Sequence, residues 1–141
     1  MFKSTTTISI PLRFSASKHL LGRFTVNGHK GVFLIDTGAS NSCMDIALAE
    51  QYDLAVAGEP LSVTGAGNEK LSAQASQKSH LGYQGQELFQ VEFMLIDMEA
   101  INSALEEQGE SPIDGILGAD LLVALSAVID YKEKRLLLAL K

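Results

Sequence analysis

The sequence predicts a mostly β domain with one or two short helices. Three observations carry that reading. Apolar and β-branched residues alternate with polar ones at period two, Gly-containing turn dipeptides recur between those runs, and helical spacing of apolar residues is confined to short stretches. A chain of 141 residues suits one domain, here 1–141, and a hydrophobic content of 46% fills a sizeable core.

Residues 5–14, ending in "TTISIPLRF", read as an edge strand, because Pro11 has no N–H to give to a ladder. A second strand follows at 20–27. Asn27-Gly28 is the strongest hairpin signal in the chain, and "KGVFLID" is the returning arm, which places Asp36 at its far end. Residues 41–50 suit a short helix or an irregular turn. "PLSVTGAGNEKLSAQA" gives two arms around a Gly-Ala-Gly tip, and 79–97 gives another hairpin turning at Gln84-Gly85. Residues 98–108 read as a short surface helix stopped near Gly109. The remainder reads as a buried strand to Leu117, a short helix over about 120–125, and a hairpin turning at Lys132 to Lys134.

A net charge of −6, with 11 scattered Lys and Arg residues, argues against a nucleic-acid partner. The single Cys43 forms no internal disulfide, so the fold needs no oxidising compartment. No apolar leader core and no run near the roughly 20 apolar residues of a membrane span is present. The expectation is a cytoplasmic protein without a membrane span, short of a leader or anchor lost by truncation.

"VFLIDTGAS", residues 32–40, is the stretch that demands chemistry. A buried apolar strand delivers the Asp36 carboxylate into a turn of Thr, Gly, Ala and Ser, and such a charge is costly unless paired, hydrogen-bonded or protonated. Taken alone, Asp36 is either a cap in a strand-to-helix connection or a reactive group. A second loop echoes it: "LIDTGAS" aligns with "DGILGAD", with Ile116 where the first copy has Asp36. The chain offers this kind of carboxylate once.

"FLIDTGAS", followed some 75 residues later by "IDGILGADLL", resembles the retropepsin-like aspartic proteases, the single-domain family typified by the retroviral protease. The resemblance covers nearly the whole chain in order, and the long N-terminal lead and the 98–108 helix look more like bacterial members. It implies a closed, bent β-barrel and an aspartic endopeptidase that works as a homodimer on an extended peptide or protein, with no metal or organic cofactor. Asp36 would be catalytic, one carboxylate of a shared-proton dyad whose other half comes from a second subunit. Thr37, Gly38, Ala39 and Ser40 would support the catalytic loop, with the Thr37 hydroxyls bonding across the axis and Gly38 supplying a turn conformation that a side chain disfavours.

Ala39 stands where pepsin-like enzymes have Ser or Thr, which removes a donor to the carboxylate and moves the expected working pH towards weakly acidic or neutral. Ile116, Leu117 and Gly118 match the family's second motif, which packs behind the loop. Asp120 would cap the following helix and reach the Ser40 to Ser42 loop. Thr64, Gly65, Ala66, Gly67 and Asn68 would form a flap gripping the substrate main chain. Viral enzymes of the family pair an Arg where Ala119 stands with an Asp where Ser40 stands, and both partners are missing here.

Other chemistries fit less well. Ser40 lacks a nucleophile-elbow pattern, and Cys43 with His19, His29 and His80 matches no ligand spacing, which leaves a buried thiol and solvated loop histidines. Glu106, Glu107 and Glu110 read as a solvated helix face. The rival reading of the whole is a catalytically silent domain of the same fold, serving as a dimerisation or peptide-binding module.

Overall fold

The computed structural model describes residues 6–64 and 70–140. Ten strands run in the order β1 (Thr6–Phe14), β2 (Leu20–Val26), β3 (His29–Ile35), β4 (Cys43–Asp45), β5 (Val56–Thr64), β6 (Lys70–Tyr83), β7 (Gln86–Ile96), β8 (Gly115–Leu117), β9 (Val128–Asp130) and β10 (Arg135–Leu140). Helix α1 (Glu99–Glu107) lies between β7 and β8, and α2 (Ala119–Ala124) follows β8. No helix among the described residues is long and apolar enough to cross a membrane.

The sheet runs β5-β6-β7-β4-β8-β3-β2-β1-β10-β9, and an additional β6–β2 pairing joins two of its members. That pairing closes β2, β3, β8, β4, β7 and β6 into a six-strand barrel. β5 extends from β6 as one arm of a hairpin, with Thr64 opposite Lys70 at its described end. Gly65, Ala66, Gly67 and Asn68 lie outside the described residues.

Local chemistry sets the turns. Asn27 and Gly28 both take positive φ, 50° and 85°, as a two-residue hairpin turn with the right twist requires. Asn27 also serves as a tie: its Nδ2 donates to the Tyr52 carbonyl at 2.9 Å and its Oδ1 accepts from the His80 amide at 3.0 Å. Gln84-Gly85 repeats the geometry at 48° and 81°. Helix α1 begins where Asp97 Oδ1 accepts from the Glu99 amide at 2.9 Å, and Gly109 at φ 81° ends it.

β3 divides its side chains between two apolar clusters. Phe33 and Ile35 enter the barrel core with Phe24, Met44, Phe93 and Leu117, while Val32 and Leu34 pack on the other face with Leu21, Ile113, Ile116 and the Leu105 of α1. Each large side chain buried this way contributes about 1.5–3 kcal/mol. Gly115 is required by this packing, since a Cβ there would stand 2.6 Å from the Cys43 carbonyl and 2.7 Å from the Phe33 ring.

Three expectations need correction. β1 is not an edge: Thr6–Pro11 pair with β10 and Leu12–Phe14 pair with β2, so Pro11 sits where the strand changes partners and its missing donor interrupts neither ladder's interior. Residues 41–50 hold no α-helix, but the three-residue β4 followed by a 3-10 turn at Ile46–Leu48. Of the histidines assigned to loops, His29 and His80 lie on β3 and β6, where they are exposed and meet Asp53 and Glu87.

Candidate active site

Asp36 stands one residue beyond β3. Its amide still donates to the Leu117 carbonyl at 2.9 Å, so the parallel β3–β8 ladder holds its backbone. Alternation along the strand places it on the face of Val32 and Leu34, away from the barrel core. The residue is half-buried, whereas Thr37, Gly38 and Ser40 are exposed. The turn folds back on the carboxylate: the Gly38 amide donates to Asp36 Oδ1 at 2.9 Å and the Ala39 amide donates to the Asp36 carbonyl at 3.2 Å. Oδ2 accepts no hydrogen bond among the described residues.

Gly38 is glycine for a different reason from the one expected. Its φ is not in the left-handed region, and a Cβ would stand 3.3 Å from Asp36 Oδ1, so close approach to the carboxylate is what favours it.

The second motif latches this loop from behind. Ala119 donates its amide to the Ala39 carbonyl at 2.7 Å, and a Cβ on Gly118 would come within 2.6 Å of the same oxygen. Ser42, fully buried, accepts from the Gly118 amide at 3.0 Å and donates its hydroxyl to Asp120 Oδ1 at 2.7 Å. Asp120 Oδ2 accepts from the Ser42 amide at 3.0 Å. Asp120 therefore reaches the loop as expected, but it is not the cap of α2: Gly118 holds the N-cap position, and Asp120 lies in the first turn. Ile116 pairs in register with Leu34, and Leu117 with Ile35.

Ser42 is the residue that sequence reading passed over as a role of its own. The signal was a Ser just after the Asp loop, paired with an Asp two residues after the Gly of the second motif. Glu110 was also misassigned to a solvated face, since it accepts from Arg13 at 2.9 Å and Arg13 holds its carboxyl below the usual range.

The electrostatics around the loop are negative. Cys43 is partly rather than fully buried, and its thiol is pushed up to about 11, first by burial and then by the charges of Asp120 and Asp36. No ion pair involves Asp36 among the described residues, and no three His, Cys, Asp or Glu side chains among them converge as a metal-ligand set.

A closed six-strand barrel with a carboxylate loop latched by an apolar-apolar-Gly strand defines the retropepsin-like fold. The family model for aspartyl proteases matches residues 23–121, and the chain belongs to that family. Among solved structures, a retropepsin-like aspartic protease from Rickettsia conorii is similar at 20% identity and a TM-score of 0.60, covering 99% of this chain and 97% of that one. The retroviral protease-like domain of Ddi1 from Leishmania major is similar at 21% identity and a TM-score of 0.60, over 84% and 86% of the two chains. EIAV protease, complexed with the inhibitor HBY-793, gives 18% identity and a TM-score of 0.56, over 80% and 93%. No curated protein is matched by the sequence.

Proposed function

We propose that residues 1–141 form one aspartic endopeptidase domain, active as a homodimer in which Asp36 of each protomer supplies one carboxylate of the dyad. The observation that carries this reading is the Asp36 loop itself: a carboxylate at a strand end, bonded through Oδ1 to the Gly38 amide, with exposed loop residues around it. The neighbouring loop brings no second acid to the same place. The position that echoes Asp36 is Ile116, and the residues beside Asp36 across the ladder are Leu117 and Gly118, so a second carboxylate must come from another molecule.

The chemistry follows from sharing one proton. The ionised Asp takes a proton from water as the water oxygen attacks the peptide carbonyl carbon, and the protonated Asp donates to the carbonyl oxygen. Collapse of the tetrahedral intermediate breaks the C–N bond as the nitrogen takes up a proton. Thr37, Gly38, Ala39 and Ser40 shape the loop. Ile116, Leu117, Gly118 and Asp120 hold it in place, and Thr64, Gly65, Ala66, Gly67 and Asn68 close over an extended peptide or protein. The lone Cys43, unpaired in the fold, fits a reducing cytoplasmic setting.

The test is cleavage of a peptide library by concentrated protein at about pH 5 to 7, with Asp36→Asn beside the wild type. The variant is expected to keep its circular dichroism spectrum and cleave nothing. Cleavage surviving in the variant overturns the proposal.

A further inference from the structure

The barrel carries a recess whose chemistry the protease reading does not use. It is an open cleft of about 660 Å³ over β1, β2 and β3, walled by the Tyr83 to Gly85 turn and by Asp114. That volume lies within the roughly 300–1,000 Å³ of small-ligand sites.

Register explains its composition. Arg13 on β1 lies opposite Leu21, Arg23 on β2 lies opposite Val32, and Lys30 on β3 lies opposite Thr25. These residues alternate onto one face, so three adjacent strands each present a cation there, with Leu21 and Val32 between them. The chain carries −6 overall, yet three of its 11 basic residues line this one recess, which concentrates positive potential there.

We propose that the cleft binds a small organic acid, one carboxylate carried on an apolar body. The charge count favours a monoanion over a polyphosphate. Glu110 already occupies Arg13, and Asp114 adds a negative charge at the wall, its Oδ2 accepting from the Val32 amide at 2.8 Å. Arg23 and Lys30 are exposed and form no ion pair among the described residues, so they are the cations available to a ligand. The apolar body rests on Val32 and Tyr83, both partly buried and both lining the cleft. A peptide entering by strand addition finds no continuous edge here: β2 pairs with β1 over Leu20–Gly22, with β6 over Thr25–Val26 and with β3 along its length, and beyond the β8 ladder the Lys30 carbonyl and the Val32 backbone are bonded by Tyr52 and Asp114.

The site is independent of the Asp36 chemistry. Lys30 on β3 precedes Asp36, just beyond the end of that strand, by six residues, about 20 Å at 3.3 Å per residue.

Octanoate and its neutral isostere octanamide, titrated into the full chain and followed by amide chemical shifts and calorimetry, test the proposal. Octanoate is expected to give saturable shifts at residues 22–25 and 30–32, to bind at least about tenfold tighter than octanamide, and to weaken about tenfold in Arg23→Gln. Lys30→Gln gives the same arm if the Arg23 variant does not fold. Equal affinity for octanamide, no saturable shift at these residues, or octanoate binding unchanged in the folded variant overturns it.

Discussion

The Asp36 carboxylate is held through one oxygen by its own turn, while its backbone is held by a neighbouring strand. This combination was half legible in the sequence. The apolar run into Asp-Thr-Gly marks a carboxylate out of place, but the reason for Gly38 lay in a 3.3 Å approach to Oδ1 that no pattern discloses. Cys43 shows the same field from the other side. Its thiol ionises near 11 in the fold and near 9.0 when free, so alkylation by iodoacetamide at neutral pH is expected to run about 100-fold slower than for an exposed cysteine.

Removing one of the nearby negative charges with Asp36→Asn should speed that reaction. Fast alkylation of the folded wild type at neutral pH contradicts this account of the loop. The sign for stability also follows: between about 9 and 11 the unfolded chain has lost the thiol proton and the folded chain keeps it, so stability falls as pH rises through that window. Tyr52, whose phenol donates to the Lys30 carbonyl and is pushed up to about 12 by burial and by Asp114, extends the fall to higher pH.

At the scale of elements, the Asp36 loop is held by hydrogen bonds from β8 and α2. Ser42 is the centre of that grip, joined to Gly118, Asp120 and, through its carbonyl, the Met94 amide at 2.9 Å. Ser42→Ala strands the Gly118 amide and removes one of the two donors to Asp120 Oδ1, leaving the Leu121 amide, which is expected to cost about 1–3 kcal/mol in urea unfolding and to reduce peptide cleavage as well. An unchanged midpoint contradicts the latch.

The hairpins at Asn27-Gly28 and Gln84-Gly85 were readable because their chemistry is local. β4 was not, because three residues form a strand only where β7 and β8 are already waiting on either side. β1 was misread for the same reason. Its ladder with β10 joins residues more than a hundred positions apart, and Pro11 marks a change of partner rather than an edge.

At the scale of the molecule, closure comes from two short pairings, Thr25 with Gly82 and Val26 with Leu81. They bring the first hairpin against the long β6 and complete the barrel around Phe33 and Phe93. β1 and β10 pair with each other within the chain, so their shared ladder is already satisfied before any second copy arrives. The barrel class was legible from the pair of loop motifs and their spacing; the closing contact was not, since nothing in the sequence of β2 singles out β6. On the function proposed above, what the fold supplies in one chain is half of an acid pair.

The central claim is that the other half comes from a second copy, and subunit mixing tests it most directly. Wild-type protein and Asp36→Asn, exchanged to equilibrium at constant total concentration, are assayed for peptide cleavage across the mixing ratio. If both carboxylates are needed, activity falls as the square of the wild-type fraction. A fall in simple proportion to that fraction would show that each chain acts with its own Asp36 alone, and would contradict the shared dyad.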